Sequence, residues 1–350
     1  MNNYKSLEIE LTSHCNIRCP GCLRTLDGDT NPRLELKSIP YELFIERIPE
    51  YILKGKNISF CGALGEPLMH KDFLKIAQYC LDAGASVQVD TNASLRSVAW
   101  WKELGSLSQK YKLRVRFSVD GHSETNRLYR VRADFNKILE NMKAYTQAGG
   151  KGIWQYIIFQ HNRNEVDKSR EEAKKLGLEF HTKINTRIPD ESWPTYNESY
   201  KELNITKKVK KINYQYGNTT KPTFVHQDLI DNSHVAEFVP IKKKAERKIK
   251  CWMVEESGLF LAFDGKLWPC CYFNSAYYDY VMIDDSSKSS KRELSTGKYL
   301  HGLDDYYGKH WNSIYKKSWE QIINHTFFKE YLIQSFENNP LYTCEYECLK

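Results

Sequence analysis

The sequence predicts an α/β protein: a parallel sheet with crossover helices, followed by a small C-terminal α+β region. Three observations carry that prediction. Six short β-like runs in the first half of the chain are separated by helix-length segments. The loops richest in reactive residues all follow those runs, where the C-terminal ends of parallel strands gather chemistry. From residue 251 onward the repeat gives way to a hairpin pattern.

Leu7–Thr12 (LEIELT) alternates apolar and polar residues, as a half-buried strand does, and leads straight into a loop holding three cysteines. Tyr41–Ile52 has helical period. Asn57–Cys61 reads as a strand, followed by the loop GALGEP and a helix over about Asp72–Ala83. Ser86–Asp90 and Leu113–Val119 are the next strands, with a helix around Val98–Lys110 between them. A helix around Phe135–Ala148 precedes the strand Ile153–Phe159. A helix around Glu165–Leu176 precedes the last strand, Glu179–Asn185.

Residues 188–250 lose this periodicity and carry lysine clusters (KKVKK, IKKKAERKIK), as a linker or insertion would, with one helix around Glu198–Lys211. GLFLAFDGKLWPCC then reads as a hairpin turning at Asp264-Gly265, and Trp319–Ser335 as an amphipathic helix. Three regions result: a core over 1–187, the lysine-rich segment over 188–250, and a small domain over 251–350.

Of the 350 residues, 41% are hydrophobic and 27% charged, the balance of a soluble globular protein. The opening MNNYKSLEIEL holds no apolar stretch of signal-peptide length, and no apolar run reaches the roughly 18 residues of a membrane span. A cytoplasmic protein is expected, with its cysteines reduced. The net charge of +7, concentrated in lysines between 207 and 250, fits a solvated segment or a contact with nucleic acid.

Eight of the ten cysteines fall in three groups, 15/19/22, 251/270/271 and 344/348; Cys61 and Cys80 stand alone and read as small buried hydrophobes. Cys15, Cys19 and Cys22 are spaced C-x3-C-x2-C with no fourth cysteine nearby. Structural zinc wants four ligands, and His14 is awkwardly placed to be the fourth because it directly precedes Cys15. An iron–sulfur cubane held by three thiolates keeps one iron open for another ligand. The spacing fits such a cluster in one tight loop, with zinc as the alternative.

CNIRCPGC resembles the cluster loop of the radical S-adenosylmethionine (radical SAM) enzymes, and the likeness extends down the chain. GALGEPLMH resembles the family's GGEP-type segment, DTNAS its third-strand segment, RFSVDGHSETNRLYRV its fourth and YIIFQHNRNEVD its fifth. The resemblance implies a partial (β/α)6 barrel and a 4Fe-4S cluster on Cys15, Cys19 and Cys22. The open iron would be chelated by S-adenosylmethionine, which is cleaved reductively to a 5′-deoxyadenosyl radical that abstracts a substrate hydrogen. It further implies SAM contacts from Gly65, Glu66, Pro67, Asn92, Ser118, Asp120, Arg130 and Asn162. Glu66 would face the SAM ammonium and Arg130 its carboxylate. Gly21 departs from the aromatic or bulky residue usual before the third cysteine.

Cys251, Gly265 and Cys270 resemble the C-x(9–15)-G-x4-C opening of SPASM and twitch extensions. Cys344 and Cys348 would complete a second, auxiliary 4Fe-4S site, with Cys271 a spare or alternative ligand and zinc the alternative metal. The terminal pair is C-x3-C, where C-x2-C is usual. A fully ligated auxiliary cluster accepts electrons rather than substrate, which implies a net oxidation, either a dehydrogenation or a peptide cross-link. The layout resembles aminocyclitol dehydrogenases and peptide-maturing enzymes alike. The partners implied are a small-molecule or peptide substrate and a reducing donor such as flavodoxin or ferredoxin. A radical SAM enzyme acting on RNA and a non-enzymatic zinc module are the other readings. No residue is marked as catalytic acid or base; His161, Lys183 and Arg187 lie near predicted strand ends.

Overall fold

The computed structural model describes residues 4–159, 161–184, 251, 258–282, 291–338 and 344. They build a mixed α/β fold around one eight-stranded sheet. Its strands are β1 (Ser6–Ile9), β4 (Asn57–Phe60), β5 (Ser86–Thr91), β6 (Leu113–Ser118), β7 (Gly152–Ile158), β8 (Glu179–Ile184), β9 (Gly258–Leu261) and β10 (Leu267–Trp268). The order across the sheet is β10-β9-β1-β4-β5-β6-β7-β8. A separate two-stranded ribbon pairs β2 (Thr25–Leu26) with β3 (Asp29–Thr30). Among the described residues, those within 1–14, 33–87 and 239–350 form one compact unit and those within 15–32 and 88–238 another, with the boundary inside β5.

In the first unit β1 pairs in parallel with β4 on one side and β9 on the other. Beyond β9 the chain turns at Asp264-Gly265, where Gly265 takes φ +80°, and returns antiparallel as β10. The C-terminal hairpin thus extends the sheet that β1 begins. The expected helix over 41–52 is two, α1 (Tyr41–Arg47) and α2 (Glu50–Leu53). Pro49 divides them, because its ring disfavours helical backbone at Ile48 and it has no N–H to continue the ladder. Helix α3 (Phe73–Asp82) buries Phe73, Ile76, Ala77, Cys80 and Leu81, the i, i+3, i+4 stripe its sequence carries. Phe73 packs edge-on to Phe60 of β4 at 5.3 Å, and each such fully buried side chain contributes roughly 1.5–3 kcal/mol. Three further helices, α8 (Cys271–Met282), α9 (Lys291–Tyr307) and α10 (Trp319–Ile323), lie C-terminal, and α10 carries a Ser318/Gln321 capping box. The expected helix over 319–335 is broken after Ile323; a π-turn at Phe327–Tyr331 leads into α11 (Leu332–Asn338). No described helix is long and apolar enough to cross a membrane.

In the second unit β6, β7 and β8 pair in parallel. Helices α4 (Val98–Lys110), α5 (Ser123–Tyr129), α6 (Phe135–Gln147) and α7 (Val166–Lys175) make the crossovers. Trp101 of α4, Phe117 of β6 and Tyr145 of α6 form one aromatic cluster with centroids 5.5–6.1 Å apart. Helices α4 and α6 approach closely at Gly105, where a Cβ would lie 2.3 Å from the Tyr145 carbonyl oxygen. The expected strands are thus present within a residue or two at most ends; Leu7–Thr12 is the exception, regular pairing ending at Ile9. The lysine-rich segment, the helix around Glu198–Lys211, Arg187 and Cys348 lie outside the described residues.

Candidate metal centre and cofactor site

The cysteine loop belongs to the second unit. Three sets of hydrogen bonds fix its path. The Cys22 N–H donates to the Cys19 carbonyl at 3.2 Å and the Thr25 N–H to the Cys22 carbonyl at 2.8 Å, closing successive turns that Gly21 permits at φ +71°. The Arg18 N–H donates to the Val131 carbonyl, its Nη1 to the Cys15 carbonyl and its Nε to Asp29 at 3.0 Å, which ties the loop to the β2–β3 ribbon. The Asn16 side chain donates to Ser94 Oγ at 2.8 Å and accepts from the Asn92 amide at 2.9 Å. Asn92 in turn accepts from the Ser94 N–H and hydroxyl.

Cys19 is buried in an apolar cluster with Ile17, Tyr129 and Phe159, and the half-buried Cys15 and Cys22 pack against its edge. Burial pushes the Cys19 thiol up to about 12, against the pull of the nearby Arg130 charge. Arg130 Nη1 lies 3.9 Å from Cys19 Sγ while its Nε donates to Asp120 Oδ2 at 2.7 Å. Asp120 is fully buried; Oδ1 accepts from the Ile157 N–H at 2.6 Å and its own N–H donates to Asn126 Oδ1. Asn162, also fully buried, donates to the carbonyls of Asp120 and Ile157 and accepts from the Phe159 N–H. Asp120, Arg130 and Asn162 thus form one bonded group beside Cys19. Ser118 is half-buried at the end of β6.

The GEP segment belongs to the first unit. Gly65 sits so close to the preceding chain that a Cβ would lie 1.7 Å from the Thr12 carbonyl oxygen. The Leu64 and Gly65 N–H groups both donate to Oε1 of Glu10, the latter at 2.9 Å. Glu10 is fully buried, its Oε2 has no hydrogen-bond partner among the described residues, and burial pushes its carboxyl up to about 8. The Glu66 N–H donates to the carbonyl of His14, the residue before Cys15. The buried Glu66 side chain caps the short turn Pro67–Met69 by accepting from the Leu68 N–H at 3.2 Å.

The first unit also brings Cys251, Cys270 and Cys344 together, all buried and close enough that each thiolate would disfavour the others. Burial pushes Cys344 up to about 12. Cys271, half-buried, is hydrogen-bonded to Glu8 of β1 and is likewise raised to about 12. Among the described residues no three His, Cys, Asp or Glu side chains are grouped as a single metal ion requires.

Sequence reasoning overlooked Asn16, Ser94 and Glu10. Asn16 lay inside the cysteine loop and was open to notice; Glu10 looked like an ordinary half-exposed position of an alternating strand.

Residues 9–176 match the Radical SAM superfamily. Over 170 residues the chain is 29% identical to the AdoMet-dependent heme synthase of Methanosarcina barkeri, covering 48% of this chain and 46% of that protein. It spans between 31% and 51% of the length of three curated relatives that it matches. Streptococcus suis SuiB bound to S-adenosylmethionine superposes with a TM-score of 0.53 at 12% identity, over 81% of this chain and 66% of that one. The anSMEcpe structure with AdoMet and the Cp18Cys peptide gives 0.50 at 15% identity, over 95% of this chain and 83% of that one. These structural likenesses show the fold. The family match, which covers somewhat less than half of the chain, gives residues 9–176 as a radical SAM domain.

Proposed function

We propose that the chain is a radical SAM enzyme that carries out a net oxidation of a peptide or small molecule, using an auxiliary iron–sulfur cluster as electron acceptor. The observation that carries this is the loop of Cys15, Cys19 and Cys22, seated on Tyr129 and Phe159 with Arg130 beside it, inside the matched domain. A cluster held by Cys15, Cys19 and Cys22 would supply the electron for reductive cleavage of SAM.

This chain's own residues bind and position. Glu66, anchored by Leu68, offers a carboxylate to the SAM ammonium, with Gly65 and Pro67 shaping the loop. Asn92 and Ser118 offer neutral hydrogen-bonding groups. Arg130 has guanidinium donors beyond the one given to Asp120, for the SAM carboxylate. Asp120 accepts from Arg130 Nε and Asn162 donates to the Asp120 carbonyl, so both are SAM contacts of the proposal that also hold Arg130 in place. The buried set of Cys251, Cys270 and Cys344 supports the auxiliary site, Cys348 being the fourth thiolate of the proposal. A peptide substrate is favoured because solved structures of this fold hold peptides, SuiA in one and Cp18Cys in another. The domain division, the reductant and a cytoplasmic location belong to the same proposal.

Anaerobic reconstitution tests it: two cubanes give about eight irons and eight sulfides per chain, and one gives about four of each. With eight, SAM cleavage to 5′-deoxyadenosine under reductant is expected. Four irons remove the oxidative half of the proposal. Zinc without iron overturns the whole.

A further inference from the structure

The strands of the second unit have two unlike faces. Val89, Val115, Phe117, Trp154 and Tyr156 are buried on one, whereas Gln88, Asp90, Arg116 and Gln155 alternate with them on the other and are only half-buried. The inner face of a (β/α) barrel is ordinarily filled by branched apolar side chains. Here it carries polar groups in the middle of the strands, where packing alone gives them no reason to be.

The bonding of these groups is incomplete. Arg116 Nη1 donates to Asp90 Oδ2 at 3.1 Å, and Gln88 Nε2 donates to Asp90 Oδ1 at 3.1 Å. A guanidinium has five N–H donors, so most of those on Arg116 have no protein partner among the described residues. The Gln155 carboxamide has no side-chain partner there either. Lys183 of β8, across the strand pair from Ile157, acts electrostatically on Asp90. Burial raises the Asp90 carboxyl even so, although its side chain keeps 22% of its exposure, as in an enclosed but open site. Two cations face one carboxylate across this surface.

We propose that the polar face of β5–β8 is a pocket for an anionic oxygen group, a carboxylate or a phosphate, bound by Arg116 and Lys183. Asp90 and Gln88 fix the guanidinium, and Gln155 adds a neutral donor and acceptor beside it. Unused hydrogen-bonding capacity, here on Arg116 and Gln155, is what orients a ligand in a pocket, and Arg116 has the planar fork that suits either oxyanion. The inference gives the substrate of the proposed function an anionic group, and rests on that reading only for calling the ligand a substrate.

The test uses the full chain with inorganic phosphate and acetate as probes, read as the shift of the thermal unfolding midpoint against anion concentration. At least one anion is expected to bind saturably to the unmodified chain. Arg116→Met and Lys183→Met should each weaken it tenfold or more, while Asp90→Asn should tighten it severalfold by removing the competing carboxylate. A purely structural Asp90–Arg116 pair would not give opposite signs for its two partners, and Lys183→Met, at an exposed position, keeps the test valid if Arg116→Met does not fold. Selectivity between phosphate and acetate identifies the group. No saturable response with either, or equal responses in all variants, overturns the proposal. SAM binding measured alongside separates the two ideas: its absence would remove the radical SAM reading and leave the anion result standing.

Discussion

Replacing Asp120 by Ala removes a side chain at 0% exposure that binds Arg130 Nε at 2.7 Å and the Ile157 N–H at 2.6 Å. The first loss leaves a buried guanidinium without its counter-ion, which costs about 3–5 kcal/mol. The second leaves a buried backbone N–H unpaired, about 1–3 kcal/mol, partly the same relaxation counted again. A net loss of about 4 kcal/mol is expected, a large share of the roughly 5–15 kcal/mol that holds a domain folded. With a urea slope of about 3 kcal/mol per molar, the midpoint falls by about 1.3 M. The assay is urea unfolding of the reduced, metal-free chain, followed by tryptophan fluorescence and circular dichroism. Adding Arg130→Met in the same chain removes the stranded charge and should recover most of the loss, since replacing both partners of a buried pair is often nearly neutral. A single variant with an unchanged midpoint, or a double variant as unstable as the two singles summed, would refute the reasoning that the pair is a mutual constraint.

Three further outcomes are expected. Gly65→Ala places a Cβ against the Thr12 carbonyl, so the GEP segment shifts; SAM affinity measured by equilibrium dialysis falls at least tenfold while iron content is kept, and unchanged affinity would remove the segment from the site. Cys344→Ala halves the iron from about eight to about four per chain while SAM binding persists, as colorimetric iron and dialysis together would show. Glu10 gives a pH dependence: its folded carboxyl, raised to about 8 from 4.5, holds a proton the unfolded chain has released, so stability is fully present below about pH 4.5 and declines as pH rises through 8, by at most about 5 kcal/mol. Glu10→Gln should flatten that slope in urea midpoints taken from pH 5 to 9, and an unchanged slope would place the titrating group elsewhere.

Much of this architecture was legible because it rests on local pattern. The alternation in Ser86–Thr91 and Leu113–Ser118 writes both faces of the sheet into the sequence, and C-x3-C-x2-C needs only eight residues to declare itself. What was not legible depends on partners far apart. The pairing of β1 with β9 joins Leu7 to Leu259, and nothing in either segment names the other. Helix α8 escaped notice because it buries Asn274 and Asp279 along with Phe273, Ala276, Tyr278 and Met282, so polar and apolar residues share its inner side and blur the 3.6-residue period. The break at Pro49 was readable from the proline rule alone. Glu10 was not readable, because a carboxylate in an alternating strand looks the same from the sequence whether it faces water or holds a loop.

The same ambiguity bears on how the chain divides stability from function. On β5–β7 the buried face of Val89, Phe117 and Trp154 supplies the hydrophobic stabilisation and tolerates little change in volume. The opposite face, with Asp90, Arg116 and Gln155, adds little by burial and leaves hydrogen-bonding groups unmatched. Apolar residues at those positions would pack at least as well, since replacing a buried ion pair by well-fitted hydrophobes is often stabilising. Folding alone therefore gives no account of why this face is charged, and a ligand that completes its bonds does.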